Sequence, residues 1–211
     1  MARTRIKICG LTDPDTAVAA AEAGADAIGL NFVAGSCRQV TPEVARTIAA
    51  ALPPLVTTVG VFADQPSERI LAVAEEVGLD LIQLHGDESP ADVARLAPRR
   101  VLKALPAGVD LAERASRYLD SDNLVGLMVD APREGELTGG YGEAHDYGAI
   151  ELPGAARLIL AGGLTPDNVT AAIKAVRPWA VDVASGVEKT RGEKDLPLIE
   201  AFCLAVAAAG G

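Results

Sequence analysis

The sequence predicts a single (β/α)8 barrel, the TIM-barrel fold, spanning residues 1–211. One unit recurs eight times: a β-rich apolar run, a short polar loop, and a helical run rich in Ala, Leu and Glu. The apolar runs are nearly continuous rather than alternating, which is typical of parallel strands covered by helices. No Gly-x-Gly-x-x-Gly follows the first run, so an open dinucleotide-binding sheet has little support. Eight evenly distributed units favour a closed barrel.

The first strand has a polar face that needs an explanation. Because side chains alternate along a strand, Ile6 and Ile8 share one face while Arg5, Lys7 and Cys9 share the other. This face fits either a solvated edge strand or the first strand of a barrel, and eight closed units leave no edge. The eight predicted strands cover residues 5–9, 27–32, 57–62, 81–85, 100–105, 124–130, 157–161 and 180–185.

Helix starts are marked by proline at the first helical position after a capping residue. The pairs are Asp13-Pro14, Thr41-Pro42, Ser89-Pro90 and Thr165-Pro166, with a weaker example at Gln65-Pro66. Gly24 and Gly78 follow helical runs and are expected to cap them. The predicted helices cover residues 14–23, 42–52, 66–77, 90–96, 110–119, 166–176 and 196–208, with a weak one at 147–150.

Composition excludes several kinds of partner. The net charge is −10 and aromatic residues make up 3%, which argues against binding to nucleic acid. No apolar run reaches the ~20 residues of a membrane helix. Three cysteines and two histidines lack metal-ligand spacing, so we expect no metal, no disulfide framework and a reducing, cytoplasmic location. A small phosphate ester remains a possible ligand, because backbone amides can hold one.

The active site of such a barrel lies at the C-terminal ends of its strands. Two glycine-containing loops follow the seventh and eighth strands, where barrels commonly bind phosphate. Their N–H groups can point at an anion, and the glycines let it approach. We therefore expect a phosphate site formed by Gly162, Gly163, Ser185 and Gly186.

Cys9 and Asp130 end the first and sixth strands and form the candidate acid–base pair. A thiol with a pKa near ~8.5 needs help to act as a base at neutral pH. A carboxyl group near ~3.9 needs a raised pKa to act as an acid. Simpler roles also fit: an inert buried cysteine and, because Ala131-Pro132 follows it, an aspartate that caps a turn.

Five further side chains have predicted roles. Arg38 could bind a carboxylate bidentately, or could be a solvated surface residue. Lys7 and Asp182 lie on the two strands that close the barrel, so we expect them to point inward and pair. Gln83 and His85 share a strand face and are expected at the barrel mouth, where they and Asp182 are predicted substrate-binding residues. The loop of residues 131–146 is either a flap over the site or a surface excursion.

Several motifs are similar to those of the phosphoribosylanthranilate isomerase family of tryptophan biosynthesis. They are Lys7-Ile8-Cys9-Gly10-Leu11-Thr12, Gln83-Leu84-His85-Gly86-Asp87-Glu88, Ala161-Gly162-Gly163-Leu164-Thr165-Pro166-Asp167-Asn168-Val169, and Asp182-Val183-Ala184-Ser185-Gly186-Val187-Glu188 followed by Gly192-Glu193-Lys194-Asp195. The resemblance covers essentially the whole chain in order.

The resemblance implies an Amadori rearrangement of a phosphorylated amino sugar. N-(5-phosphoribosyl)anthranilate would become 1-(2-carboxyphenylamino)-1-deoxyribulose 5-phosphate, with Asp130 as general acid and Cys9 as general base. Arg38 would contact the anthranilate carboxylate, and the glycine loops would hold the phosphate. No metal or cofactor is implied, and the protein would act as a monomer or homodimer.

The chain departs from the family pattern at two places. Cys37 stands where Ser-Pro-Arg usually has proline, and Tyr141 stands in a loop that usually reads Gly-Gly-Thr-Gly. The departures leave open a secondary-metabolism paralogue acting on a related amino-sugar phosphate. The sister isomerase of histidine biosynthesis, which has an aspartate in place of Cys9, is a second candidate function. A barrel that binds sugar phosphates without turnover is a third.

Overall fold

In the computed structural model, eight parallel strands pair in sequence order and close into a barrel, as the sequence predicts. The structure describes residues 3–130, 150, 152–153 and 156–209. The predicted flap loop lies outside the described residues, as does nearly all of the weak helix near residue 150. The barrel strands are β1 Arg5–Cys9, β2 Ala27–Asn31, β3 Thr57–Phe62, β4 Leu81–Leu84, β5 Val101–Pro106, β6 Leu124–Asp130, β7 Leu158–Ala161 and β8 Ala180–Val183.

Helices cover the outside of this barrel. They are α1 Pro14–Glu22, α2 Pro42–Ala51, α3 Ser67–Val77, α4 Pro90–Arg95, α5 Leu111–Ser116, α6 Val169–Val176 and α7 Leu196–Ala209. Within the described residues, none of these helices combines the length and the apolar character that a membrane span requires.

Three of the four proline start signals are confirmed. The side chains of Asp13, Thr41 and Ser89 each accept a hydrogen bond from a backbone N–H in the first turn of their helix. Such bonds satisfy amides that have no partner inside the helix. Gly78 caps α3 in the left-handed conformation, with φ of 76°. The helix α3 itself begins at Ser67 with no side-chain cap, in keeping with the weaker signal at Gln65-Pro66.

The fourth start signal, Thr165-Pro166, is wrong. The helix α6 begins at Val169. Instead, the Asn168 side chain accepts a hydrogen bond from the Thr165 N–H at 2.8 Å and donates one to the Gly163 carbonyl at 2.9 Å. These bonds tie the turn of residues 165–168 to the glycine loop after β7, and the regular helix begins only after this turn.

The core has two layers. Apolar side chains from the outward strand faces pack under the helices, with Ile8, Phe62 and Phe202 among the largest fully buried residues. A smaller cluster fills the barrel interior, and it contains Val59, Leu102, Ala104, Met128, Ile159, Ala161 and Ala180. One cavity lies above this interior cluster, at the C-terminal ends of the strands, and another lies at the opposite end of the barrel.

Two short features after β8 were not predicted. The run expected to continue to residue 185 ends at Val183, and a 3-10 turn, Ser185–Val187, follows. Next comes a small antiparallel hairpin of β9, Glu188–Thr190, and β10, Glu193–Lys194. The hairpin turns at Gly192, whose φ is +88°.

Candidate active site

All ten predicted site residues line one cavity of about 280 Å³ at the C-terminal ends of the strands. They are Cys9, Arg38, Gln83, His85, Asp130, Gly162, Gly163, Asp182, Ser185 and Gly186. Because parallel strands end at the same rim, residues distant in sequence meet there. Ring closure, and not sequence proximity, therefore forms the site.

Cys9 lies on the inner face of β1, and Gly29 provides the space for it. A Cβ atom at Gly29 would lie 2.8 Å from the Cys9 sulfur and 3.0 Å from the Lys7 nitrogen. Burial raises the pKa of the Cys9 thiol, and the neighbouring Lys7 ammonium opposes that rise. Cys9 is therefore a buried thiol with a cation beside it, and the cation favours its thiolate.

Lys7 and Asp182 form the inward-facing pair that the sequence predicts. The two residues are partners in the register of β1 and β8, and Lys7 Nζ donates to Asp182 Oδ1 at 2.7 Å. Burial lowers the pKa of Lys7, but the negative charges of Asp182 and Cys9 raise it above its usual value overall. The lysine is thus a fixed cation beneath the site. The sequence predicts only a structural role for Lys7, and the contact of Lys7 with Cys9 is not among the predictions.

Asp130 ends β6, three strands around the barrel from β1. Its Oδ2 lies 3.4 Å from His85 Nε2, and 44% of its side chain is exposed to the cavity mouth. His85 Nδ1 in turn lies 3.1 Å from Gln83 Nε2. The buried amide of Gln83 therefore orients the histidine, and the histidine faces the carboxyl group.

The loops after β7 and β8 pack directly against each other. Gly162 and Gly163 have positive φ angles of 88° and 61°, a conformation that favours glycine. A Cβ atom at Gly186 would lie 1.8 Å from the Leu164 carbonyl oxygen, so only glycine fits there. Close packing of the two loops brings Gly162, Gly163, Ser185 and Gly186 to one side of the cavity.

Arg38 is not a free surface arginine. Its Nε and Nη2 atoms donate to the two carboxylate oxygens of Glu188 at 2.6 and 2.7 Å. Only 16% of the Arg38 side chain is exposed, and it lines the cavity rim. The hypothesis of a solvated arginine is therefore wrong, and one edge of the guanidinium is already occupied by protein.

Sequence reasoning gave no role to several residues that shape this site. Asn31 and Ser36 line the cavity and hold the loop after β2: Asn31 Oδ1 accepts from Val33 N at 2.8 Å, and Ser36 Oγ accepts from Arg38 N at 3.2 Å. Glu188 belongs to one of the family-like motifs but had no assigned function. The position of Glu188, a charged residue directly after the glycine loop that follows β8, is the sequence feature that could have indicated a role in the site.

Comparison with known proteins identifies the family. Residues 6–205 match the family model described as N-(5'-phosphoribosyl)anthranilate (PRA) isomerase. A relative from Pseudomonas fluorescens, named N-(5'-phosphoribosyl)anthranilate isomerase, is 48% identical over 208 residues, which is 98% of this chain and 97% of the relative.

Two solved structures show the same architecture over nearly the whole chain. One is phosphoribosyl anthranilate isomerase in complex with reduced 1-(o-carboxyphenylamino)-1-deoxyribulose 5-phosphate, with 36% identity, a TM-score of 0.81, and coverage of 97% of this chain and 99% of that one. The other is described as monomers generated from the dimeric enzyme of Thermotoga maritima, with 35% identity, a TM-score of 0.80, and coverage of 97% and 99%. The chain therefore belongs to the phosphoribosylanthranilate isomerase family.

Proposed function

We propose that this chain converts N-(5-phosphoribosyl)anthranilate into 1-(2-carboxyphenylamino)-1-deoxyribulose 5-phosphate, the Amadori step of tryptophan biosynthesis. The observation that carries the proposal is the placement of Cys9 and Asp130 in one cavity with both glycine loops. A phosphate held by those loops would fix the sugar between β1 and β6, and holding a substrate in place lowers the entropy cost of reaching the transition state.

The first step belongs to Asp130. Its carboxyl group, as an acid, donates a proton to the ribose ring oxygen, and the bond from C1 to that oxygen breaks. The nitrogen lone pair forms a Schiff base with C1, so the ring opens to a cationic iminium and a free hydroxyl. The Asp130 side chain is about half exposed at the cavity mouth and faces His85, so it can exchange protons with solvent between turnovers.

The second step belongs to Cys9. Its thiolate removes the proton from C2, and the electron pair of that bond neutralises the iminium to give an enolamine. Tautomerisation then moves the hydroxyl proton of C2 to C1 and leaves a ketone, so C1 is reduced, C2 is oxidised and no external electron carrier is needed. The Lys7 ammonium opposes the effect of burial on the thiol, and the positive charge of the iminium would favour the thiolate further.

Substrate binding involves the remaining cavity residues. Gly162, Gly163, Ser185 and Gly186 would hold the phosphate, and Arg38 would contact the anthranilate carboxylate. Gln83 and His85 would keep Asp130 in place, and Asp182 would hold Lys7 beside the base. The proposal requires no metal or cofactor.

The test is a turnover assay with freshly prepared phosphoribosylanthranilate, whose fluorescence is lost as it reacts. The wild-type protein should turn it over, whereas Cys9→Ser and Asp130→Asn should each lose most of the activity. Cys203→Ser is a matched control, since Cys203 is also a buried free cysteine but lies in α7 outside the cavity. An active Cys9→Ser variant would refute the assignment of the base, and an inactive wild type would refute the function.

Domain organisation, cellular location and oligomeric state are also proposals. The barrel closes between β1 and β8, and α7 packs against α1 and α6, so residues 1–211 are proposed to form one domain. Three free cysteines fit a reducing, cytoplasmic location. The description of the Thermotoga maritima relative as dimeric supports a homodimer over a monomer. Size-exclusion chromatography with light scattering would determine the mass of the protein in solution and so distinguish a homodimer from a monomer.

A further inference from the structure

Arg38 is clamped by a carboxylate that lies 150 residues away in the sequence. Glu188 Oε1 and Oε2 accept hydrogen bonds from Arg38 Nε and Nη2, at 2.6 and 2.7 Å. Only 3% of the Glu188 side chain is exposed. Two parallel charge-assisted bonds fix the plane of a guanidinium as well as its position.

Gly10 restrains Arg38 from another side. Gly10 has a φ of +80°, and a Cβ atom there would lie 2.4 Å from Arg38 Cδ. The aliphatic stem of the arginine therefore lies directly on the Gly10 backbone, one residue after Cys9. With the stem against Gly10 and the head against Glu188, the side chain has little freedom to rotate.

Glu188 is itself held on several sides. The Gly192 N–H donates to Oε2 at 3.0 Å, and Lys194 Nζ donates to Oε1 at 2.8 Å. Lys194 also donates to the Ala184 carbonyl at 2.8 Å, which ties the hairpin back to the end of β8. Burial opposes ionisation of Glu188, but the bonds from Arg38, Lys194 and Gly192 outweigh it and lower its pKa to about 2. The carboxylate is therefore ionised at neutral pH.

The pattern of bonds decides which part of Arg38 can meet a ligand. A guanidinium carries five N–H donors, and the side edge of Nε and Nη2 is occupied by Glu188. Among the described residues, no protein group bonds the end edge, made of Nη1 and the second hydrogen of Nη2, so this edge can face another oxyanion. The cluster of Arg38, Glu188 and Lys194 keeps a net charge of +1, so it still attracts an anion in a chain whose net charge is −10.

We propose that Glu188 is a positioning residue that aims the end edge of Arg38 at the aryl carboxylate of the substrate. The inference rests on the proposed function, which supplies that carboxylate. Glu188 directly follows the Ser185–Val187 turn. The same anchor therefore fixes the carboxylate-binding group relative to the phosphate loop, so the two anionic ends of the substrate meet groups at a set separation. The clamp also supplies the restraint that proline would give at position 37.

The experiment compares two ligands by calorimetry, the reduced product analogue and ribose 5-phosphate, which has no aryl carboxylate. Glu188→Gln keeps the shape of the side chain but sets an NH₂ group against donors, so Arg38 loses its fixed aim. We expect the affinity for the reduced product to fall on the order of tenfold, with that for ribose 5-phosphate unchanged. In turnover, KM should rise while kcat stays within about threefold.

Two controls separate aiming from general support of the fold. Glu193→Gln breaks a surface ion pair with Lys189 (2.7 Å) in the same hairpin and should change neither affinity. In an Arg38→Ala background, Glu188→Gln should not lower the affinity for the reduced product analogue any further. A residue that acts only by positioning Arg38 has no effect once the Arg38 side chain is removed.

The positioning role would be overturned if Glu188→Gln lowered the affinity for both ligands equally, or if its effect on affinity added fully to that of Arg38→Ala. Either result would leave the isomerase function intact. Turnover of phosphoribosylanthranilate by the same wild-type preparation is measured in parallel. Its absence would refute the proposed function, and with it the inference, whereas normal turnover with no selective loss refutes the inference alone.

Discussion

Lys7 and Asp182, which are 175 residues apart in sequence, meet inside the barrel through a 2.7 Å hydrogen bond from Nζ to Oδ1. Their side chains are 5% and 9% exposed, so both charges have left water. Each makes the burial of the other tolerable, and the pair joins the first strand of the barrel to the last. The contact links the two strands that close the ring, and it holds the Lys7 ammonium beside Cys9, the proposed general base.

Replacing Lys7 alone should be costly. Lys7→Met leaves the Asp182 carboxylate buried without its cation, and breaking one side of a buried pair typically costs about 3–5 kcal/mol. We expect the urea midpoint to fall accordingly. The double variant with Asp182→Leu should recover much of this loss, since it buries no unpaired charge. A neutral Lys7→Met would contradict the stabilising role.

Replacing Cys9 should affect the chemical step far more than binding. In Cys9→Ser the hydroxyl is a much poorer base than the thiol, so kcat should fall by about 10²–10⁴-fold, the range expected for a lost general base. Affinity for the reduced product analogue should change little, because the loops and Arg38 are intact. Stopped-flow fluorescence and calorimetry on the same preparation give the two values. A large loss of affinity with normal kcat would contradict the assignment.

Asp130 and His85 should differ in the size of their effects. Asp130→Asn removes the proposed proton donor, and we expect kcat to fall by about 10²–10⁴-fold. His85→Asn removes only the group that faces Asp130 at 3.4 Å, so a loss on the order of tenfold is expected. Steady-state kinetics of the two single variants check the order. If His85→Asn proves the more damaging variant, the roles of acid and support must be exchanged.

Acid should weaken the fold partly through Glu188. The pKa of this group is lowered from its usual 4.5 to about 2 in the folded chain. A depressed pKa means that the unfolded state binds the proton more tightly, so the stabilisation is fully present above about pH 4.5 and is lost as pH falls toward 2. Urea unfolding of wild type and Glu188→Gln across this range should converge at low pH. If the free energies of unfolding of the two proteins instead change in parallel with pH, ionisation of Glu188 does not contribute to stability in this range.

Gly186 should tolerate no side chain. In Gly186→Ala the new Cβ atom would lie 1.8 Å from the Leu164 carbonyl oxygen, so one of the two loops must move. Affinity for ribose 5-phosphate should fall, since both loops are expected to hold its phosphate. Gly108→Ala is a matched control, because its nearest neighbour is a side-chain oxygen of Asp110 at 3.3 Å, away from the cavity. Unchanged phosphate affinity in Gly186→Ala would contradict the loop site.

The order of strands and helices and the residues at the C-terminal rim follow from local sequence patterns. These patterns depend only on neighbours within a few residues, so they can be recognised in a sequence. They include the apolar strand runs, the helix caps at Asp13, Thr41 and Ser89, and the alternation that places Lys7 and Cys9 on the same strand face. The pairing of Lys7 with Asp182 was also accessible, because closing eight strands sets the first beside the last.

Features that depend on contacts between distant segments could not be predicted from such patterns. The predicted helix start at Thr165-Pro166 is wrong because residues 165–168 form a turn, which the Asn168 side chain ties to Gly163 in the loop after β7. The buried pair of Lys103 with Glu88, at 3.0 Å, and the clamp of Glu188 on Arg38 were likewise not predicted. The sequence around a charged side chain looks the same whether that side chain faces water or an oppositely charged residue. The partner is set by the closed barrel, which brings distant segments together.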